Sequence, residues 1–211
     1  MKKMFLPVMW VGMASWVLAG CTKEPVNHLT EEETRIYITN HDSTVSFSAF
    51  HTFSVADSVA VINDNQFVQR DQNAFDQAFL AALKTQLQAR GFTLVDKTAK
   101  PDLGINVSRL YNNYTGLVSY TDYYGDYYGY WDPYYWGYPG YSYYFPTYYG
   151  VYNITQGGLS VDMFDLKDAS GTNQLKYVWN GLVRGEGLFN PANASQEAQA
   201  LLSQSAYLKT N

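Results

Sequence analysis

Few residues in this chain could do chemistry, and their spacing matches no common catalytic or metal-binding pattern. The three histidines, His28, His41 and His51, all lie in the first quarter of the 211-residue sequence. They form no metal-binding pair at helical spacing, and the chain has neither a Gly-x-Ser-x-Gly nucleophile motif nor a glycine-rich phosphate-binding loop. The sequence therefore predicts a protein that is not an enzyme and that binds no metal or cofactor.

The single cysteine, Cys21, lies where bacterial lipoproteins carry their acyl anchor. Two lysines precede an apolar run over residues 4–18, and Leu18-Ala19-Gly20 stands directly before the cysteine. The run has about 15 residues, fewer than the roughly 20 that span a bilayer. We therefore expect residues 1–20 to be cleaved as a signal peptide and the acylated Cys21, typically carrying palmitate, to anchor the chain in a lipid bilayer.

The residues after Cys21 indicate where the anchored protein would lie. Thr22 replaces the aspartate that usually retains lipoproteins in the inner membrane of Gram-negative bacteria, so we expect the outer membrane. Whether the protein faces the periplasm or the cell surface stays open. Residues 21–34 are polar and contain Pro25 and three consecutive glutamates, which predicts a solvated tether.

A glycan hydrolase of the envelope is the alternative to a non-enzymatic protein. Asp122, Asp126 and Asp132 lie close together in an aromatic stretch and could supply the carboxylate pair that hydrolyses a glycosidic bond. Their spacing does not match a calcium-binding loop. These three aspartates and the aromatic residues around them are the observations on which the hydrolase alternative depends.

Composition and charge further narrow the classes of protein to which this chain could belong. A content of 46% hydrophobic and 16% charged residues suits one globular domain. The formal charge is −5, so the chain offers no basic surface that could neutralise phosphates. We therefore expect no nucleic-acid partner.

Tyrosine is the compositional outlier, because 17 of the 20 tyrosines fall within residues 111–152. Glycine and proline recur through this stretch and interrupt any long helix or strand. Tyrosine and tryptophan combine a large apolar area with a polar tip, which suits contact with an envelope protein or a glycan. The candidate contact residues are Tyr123, Tyr124, Tyr127, Tyr128, Tyr130, Trp131, Tyr134, Tyr135, Trp136 and Tyr138.

We expect residues 121–149 to form an insertion that the protein's contacts require but its folding does not. The strand patterns stop near Tyr120 and resume near Val151, and a long loop costs little extra closure entropy. The alternative is a low-complexity insertion without a ligand, either packed on its own domain or disordered.

Sequence periodicity predicts the elements on either side of this insertion. A helix over residues 72–90 follows from a stripe at every fourth position, Phe75, Phe79, Leu83 and Leu87. A second helix begins at Asn193 or Ser195 and bears Leu201, Leu202, Ala206 and Leu208. Strands are predicted near residues 36–39, 50–55, 92–95, 103–108, 151–166 and 175–183. We expect the 92–95 strand to be buried and the last two strands to form a hairpin. This order predicts a single α+β domain over residues 35–211, with a mostly antiparallel or mixed sheet in one layer and two helices on one of its faces.

Several short motifs span residues 36–208. They are Ile38-Thr39-Asn40-His41-Asp42, Phe50-x-Thr52-Phe53, Gly91-Phe92, Pro101-Asp102-Leu103, Trp179-x-Gly181 and Ser205-Ala206-Tyr207-Leu208. In this order they resemble a family of bacterial lipoproteins known as domain of unknown function 4136. The resemblance implies an envelope lipoprotein with a compact α+β fold, and it brings no established catalytic residues. The tyrosine-rich stretch departs from the family's pattern.

Overall fold

A computed structural model of the chain describes residues 29–64, 66–111, 118–119, 131–145, 149–150 and 157–210. The predicted signal peptide, residues 1–20, and the predicted anchor Cys21 lie outside the described residues. So do five members of the predicted contact surface, Tyr123, Tyr124, Tyr127, Tyr128 and Tyr130.

The described residues form one mixed nine-stranded sheet, a separate two-stranded sheet and three α-helices. The strands are β1 (Ile36–His41), β2 (Thr52–Val55), β3 (Val59–Asn63), β4 (Gln66–Asp71), β5 (Thr93–Leu94), β6 (Leu103–Tyr111), β7 (Val118–Ser119), β8 (Ser142–Tyr144), β9 (Tyr149–Gly150), β10 (Gly158–Asp165) and β11 (Gln174–Arg184). The helices are α1 (Ala74–Ala89), α2 (Ala169–Thr172) and α3 (Ala194–Ser203). The prediction of an α+β fold is confirmed.

The centre of the large sheet is antiparallel and its borders are partly parallel. Strands β1, β11, β10 and β6 are antiparallel neighbours in that order. Strands β2 and β3 both run parallel to β6, β2 along its first residues and β3 along its last. Strand β8 pairs in parallel with the beginning of β11. The hairpin expected from the last two long strand patterns is the β10–β11 pair.

Local sequence explains helix α1. The side chain of Asn73 accepts the Asp76 N–H at 3.0 Å, and the Asp76 carboxylate accepts the Asn73 N–H at 3.0 Å, a reciprocal capping box. At the other end Gly91 has a φ of +94°, the left-handed conformation that terminates helices. The stripe of Phe75, Phe79, Leu83 and Leu87 is buried, as expected.

Helices α1 and α3 cover one face of the sheet, which confirms the predicted placement. The buried cluster on this face contains the α1 stripe, Leu201 and Leu202 of α3, and the sheet residues Ile105, Val161 and Val183. Gly181 permits this approach, because a Cβ atom there would lie 2.8 Å from Leu201 Cδ1. The second helix is shorter than expected: it ends at Ser203, so Ala206 and Leu208 lie beyond it.

Two further expectations differ from the structure, and one pair of strands was not expected. The compact unit begins at Glu31, because Thr34 in the expected tether accepts the Glu186 N–H at 3.0 Å through its hydroxyl oxygen. Strand β5 is exposed rather than buried. The hairpin of β3 and β4 was not predicted, because β4 is almost entirely exposed and shows no apolar alternation. Residues 151–156, expected to begin a long strand, lie outside the described residues.

None of the helices in the described residues has both the length and the apolar character needed to cross a bilayer.

A buried ion pair joins Arg35, the residue directly before β1, to Glu197 of helix α3. Glu197 is fully buried and Arg35 nearly so, and the Arg35 Nε lies 3.7 Å from a Glu197 carboxylate oxygen. Neither Glu197 oxygen has a hydrogen-bond partner. Burial therefore raises the pKa of Glu197 to about 7, although Arg35 acts in the opposite direction.

The raised pKa of Glu197 makes the stability of the folded protein depend on pH. When a carboxyl group has a higher pKa in the folded than in the unfolded state, it stabilises the folded protein at pH values below its unfolded pKa of 4.5. This contribution is lost as the pH rises through about 7. We expect the free energy of unfolding of Glu197→Gln, relative to the wild type, to rise by about 3 kcal/mol between pH 4.5 and 8. Urea denaturation at several pH values measures this difference, and parallel curves for the two proteins would contradict it.

Candidate functional site

The second face of the sheet is covered by the aromatic segment, which we define as residues 131–145. Trp131, Trp136 and Tyr143 of this segment are buried in a second apolar cluster with Phe164 and Tyr177 of the sheet. Trp131 has no exposed surface, and its indole N–H donates to the Ser108 hydroxyl at 3.4 Å. The expectation that Trp131 and Trp136 belong to a contact surface is therefore wrong.

A short 3-10 helix, Pro133–Trp136, holds the first part of the aromatic segment. Asp132 caps it by accepting the Tyr134 N–H at 2.8 Å, and Pro133 occupies a first-turn position where no N–H is needed. Gly137 ends the turn with a φ of +83°. Of the three aspartates considered for hydrolysis, Asp132 thus has a structural role, while Asp122 and Asp126 lie outside the described residues.

A glycine in the central sheet explains how Trp136 reaches its buried position. A Cβ atom at Gly104 would lie 3.1 Å from Trp136 Cε2 and 2.8 Å from Leu166 Cδ1. Both distances are shorter than normal contact, so a side chain at this position would displace Leu166 and the Trp136 indole. The last part of the segment is held differently, because strand β8 pairs Tyr143 with Leu175 of β11.

The tyrosines between these anchors form the aromatic surface, which we define as Tyr134, Tyr135, Tyr138, Tyr141 and Tyr144. Tyr134 is 71% exposed and Tyr144 46% exposed, and the other three are half-buried. The Asp57 N–H donates to the Tyr135 hydroxyl at 3.1 Å, and the Tyr138 hydroxyl donates to the Leu166 carbonyl at 2.8 Å. The aromatic surface is therefore presented on an ordered segment.

The phenols of Tyr135 and Tyr138 are neutral at physiological pH. Burial raises the pKa of Tyr135 to about 12, and burial also raises the pKa of Tyr138. Both groups therefore act as hydrogen-bonding aromatic rings without charge, and any charge at this surface comes from other residues.

A cleft of about 520 Å³ lies beside the aromatic surface. One wall contains Lys97, Lys100 and Pro101, which precede β6, and the other contains residues of the aromatic segment, among them Trp136, Tyr138 and Tyr141. Lys97 Nζ lies 3.8 Å from the centre of the Tyr135 ring, a cation–π contact. Nothing in the sequence indicates that Lys97 and Lys100 approach the tyrosines, because neither lysine lies near them along the chain.

A second cleft, of about 370 Å³, lies near α2. Three of its four charged side chains, those of Asp165, Lys167 and Lys176, already have partners within the protein. Lys176 Nζ lies 2.7 Å from the Asp42 carboxylate, and Lys167 donates to the Ala49 carbonyl at 2.8 Å. The Asp165 carboxylate accepts the Asp168 N–H at 3.0 Å. This cleft therefore offers a ligand fewer free charges than the first.

The residues considered for catalysis do not come together in the described structure. The centre of the His41 ring lies 4.0 Å from that of Tyr207, while His51 is exposed, and His28 lies outside the described residues. Within the described ranges, no group of three His, Cys, Asp or Glu side chains could hold a metal ion.

The motifs that carry the family resemblance join elements of the fold. The Asp102 carboxylate accepts the N–H groups of His51 and Thr52 at 2.7 and 3.1 Å, which ties β2 to the start of β6. Trp179 donates its indole N–H to the Ser205 hydroxyl at 2.9 Å, which holds the C-terminal segment against the sheet. These two contacts therefore maintain the fold, and Pro101 of one motif also lines the cleft beside the aromatic surface.

The fold and these motifs define an α+β protein whose sheet is covered by helices on one face and by an aromatic segment on the other. The chain belongs to the family described as domain of unknown function (DUF4136), whose model matches residues 37–205. None of the curated proteins matches the chain.

Solved structures agree with the family assignment. A crystal structure of a DUF4136 family protein from Bacteroides thetaiotaomicron is 28% identical, with a TM-score of 0.70, over 84% of this chain and 99% of that one. A PDZ domain protein from Parabacteroides distasonis is 15% identical, with a TM-score of 0.43, over 87% of this chain and 42% of that one. The PelC dodecamer from Paraburkholderia phytofirmans is 10% identical, with a TM-score of 0.39, over 84% and 99%. The last two scores are too low to carry an argument.

Burial of Trp131, Trp136 and Tyr143 contradicts, for residues 131–145, the expectation that the insertion is dispensable for folding. Residues 121–130 and 146–148 of the insertion lie outside the described residues. Trp136→Ala should lower the free energy of unfolding by about 3–5 kcal/mol, because it removes a buried indole and leaves a cavity over Gly104. Tyr134→Ala is the matched control, since Tyr134 is exposed, and it should change stability by less than about 0.5 kcal/mol. Chemical denaturation compares the two, and equal small losses would mean that the segment is not part of the core.

Proposed function

We propose that this chain is a lipid-anchored protein of the bacterial outer membrane that binds or scaffolds another envelope component without acting as an enzyme. The binding site in this proposal is the aromatic surface. One observation carries it: buried tryptophans anchor a segment in which every tyrosine except Tyr143 remains exposed or half-exposed. The partner is an envelope protein or a glycan.

The arrangement of the aromatic segment suits binding because its shape is determined before a partner arrives. A tyrosine provides a large contact area with few rotatable bonds, so immobilising it costs little conformational entropy. Hydrogen bonds already hold Tyr135 and Tyr138, which lowers that cost further. Tyr134 and Tyr144 add exposed aromatic area. Exposed aromatic area of this kind commonly marks an interaction site.

The membrane anchor in this proposal rests on the sequence around Cys21. Leu18-Ala19-Gly20-Cys21 follows a lysine-bearing apolar run, as in bacterial lipoproteins. The compact unit begins at Glu31, and the residues between the two can extend to at most about 30 Å. Glu31 would therefore lie within about 30 Å of the membrane.

Nothing in the described residues favours the alternative of a glycan hydrolase. Asp132 caps a 3-10 helix by accepting the Tyr134 N–H, and this bond occupies a carboxylate that hydrolysis would need. We therefore do not propose that activity.

Lipid anchoring predicts that Cys21→Ser releases the protein from membranes. Fractionation of cells should find the wild type with the outer membrane and the variant in a soluble fraction, because a serine cannot carry the thioether-linked acyl anchor. Thr22→Ser is the matched control and should leave membrane association unchanged. Mass spectrometry should show an acylated Cys21 as the N-terminal residue, and an unmodified Cys21 that still carries residues 1–20 would refute the anchor.

The contact role of the aromatic surface predicts site-specific crosslinks in cells. A photo-crosslinking amino acid in place of Tyr134 or Tyr144 should yield discrete adducts with an envelope protein or glycan. The same amino acid in place of Gln88, which is exposed on helix α1, is the control and should yield none. The same adducts at Gln88, or none at the two tyrosine positions, would show that this surface is not the binding site.

A further inference from the structure

We propose that the cleft between Lys97–Pro101 and Trp136–Tyr141 binds an acidic glycan. The sugar ring lies against Tyr138 and Tyr141, and its carboxylate lies between Lys97 and Lys100. The inference rests on the proposed function and names the class of ligand that the aromatic surface would take.

The size and walls of the cleft suit an oligosaccharide. Its volume of about 520 Å³ falls within the range of roughly 300–1,000 Å³ that small-ligand sites occupy. The walls combine aromatic rings with hydroxyl groups, since Thr98 and Ser170 also line the cleft. A sugar offers the matching chemistry, with apolar C–H faces for the rings and hydroxyl groups at its edges.

The aromatic wall is held in position by its own contacts. The Tyr138 and Tyr141 ring centres lie 5.2 Å apart, with the ring planes tilted by 47°. Tyr138 cannot swing away without breaking its hydrogen bond to the Leu166 carbonyl. Both side chains are half-buried, so each keeps part of its ring accessible. A ligand therefore meets a preformed angled aromatic wall.

The opposite wall supplies positive charge in an otherwise acidic protein. The formal charge of the chain is −5, and no lysine or arginine occurs between Arg109 and Lys167, so the aromatic stretch has no cation of its own. The fold brings Lys97 and Lys100 to it from another segment. The nearby Asp96 carboxylate is engaged by the N–H and hydroxyl of Thr98, at 2.8 and 2.6 Å.

Lys100 is the better candidate of the two lysines for a charge contact. It is exposed and forms no ion pair with any described residue, whereas Lys97 stacks over Tyr135. Its backbone has a φ of +54°, a conformation that costs energy for any residue except glycine. Two lysines at one cleft attract a carboxylate, and the aromatic wall favours a sugar ring over an acidic peptide.

Isothermal titration of the full-length protein in detergent with tri-galacturonic acid tests this proposal. The matched ligand is the fully methyl-esterified trimer, which has the same rings without their charge. We expect the acid to bind at least tenfold more tightly than the ester. Its affinity should fall several-fold between 50 and 500 mM NaCl, because salt screens an exposed charge contact.

Three variants locate the site. Lys100→Met should weaken binding of the acid about fivefold or more and leave binding of the ester unchanged. Tyr141→Ala should weaken binding of both, because it removes aromatic contact and no charge. Lys209→Met, which removes an exposed lysine of the C-terminal segment, is the control and should bind as the wild type does. Circular dichroism checks that each variant is folded. If Lys100→Met does not fold, the location of the site is tested by Tyr141→Ala alone.

Several results would overturn the inference. Equal affinities for the acid and the ester would show that no charge contact contributes to binding. If Lys209→Met weakens binding of the acid as much as Lys100→Met does, the site does not lie at this cleft. Tighter binding of a tri-glutamate peptide would identify a peptide site instead. If neither saccharide binds but crosslinks from Tyr134 persist in cells, the acidic glycan is wrong and the proposed function stands. If neither saccharide binds and no crosslinks form from Tyr134, both proposals fail.

Discussion

The structure depends on burial of the central sheet on both faces. Every residue of β10 is buried, yet β10 alternates apolar residues with Ser160 and Asp162. Leu159, Val161 and Met163 face α1 and α3, so Ser160 and Asp162 lie beneath the other covering. Asn180 satisfies them, donating to Asp162 at 2.7 Å and to Ser160 at 3.0 Å. Buried polar groups must find such partners because an unpaired one costs about 1–3 kcal/mol.

This constraint gives the aromatic segment two roles. Its tryptophans cover the second face of the sheet, on which neither α1 nor α3 packs. Its tyrosines are left at the outer side of the same segment, where Tyr134 and Tyr144 are exposed. A surface anchored in this way is rigid because its buried part cannot shift without opening the core. Stability and the proposed binding role are therefore coupled through residues 131–145.

Local signals predicted the elements whose contacts are close in sequence. The stripe of α1 was recognisable because four-residue periodicity acts within one or two helical turns. The β3–β4 hairpin was not, because β4 is exposed on both sides and has no alternating pattern. The roles of Gly104 and Gly181 were also hidden, since each is set by a side chain that packs over it from a distant segment.

The sequence by itself determined the family, the α+β class, the main helix and the acidic character of the chain, because motifs, periodicity and composition express these directly. Tertiary structure alone decided which aromatic residues are core and which are surface. Trp136 and Tyr134 are both aromatic residues of one 3-10 turn, yet one is buried and the other is exposed. The buried residue, Trp136, packs over Gly104 of strand β6, a contact between segments that are distant in sequence. The approach of Lys97 and Lys100 to the tyrosines has the same origin, since sheet pairing brings together segments whose sequences carry no mark of each other.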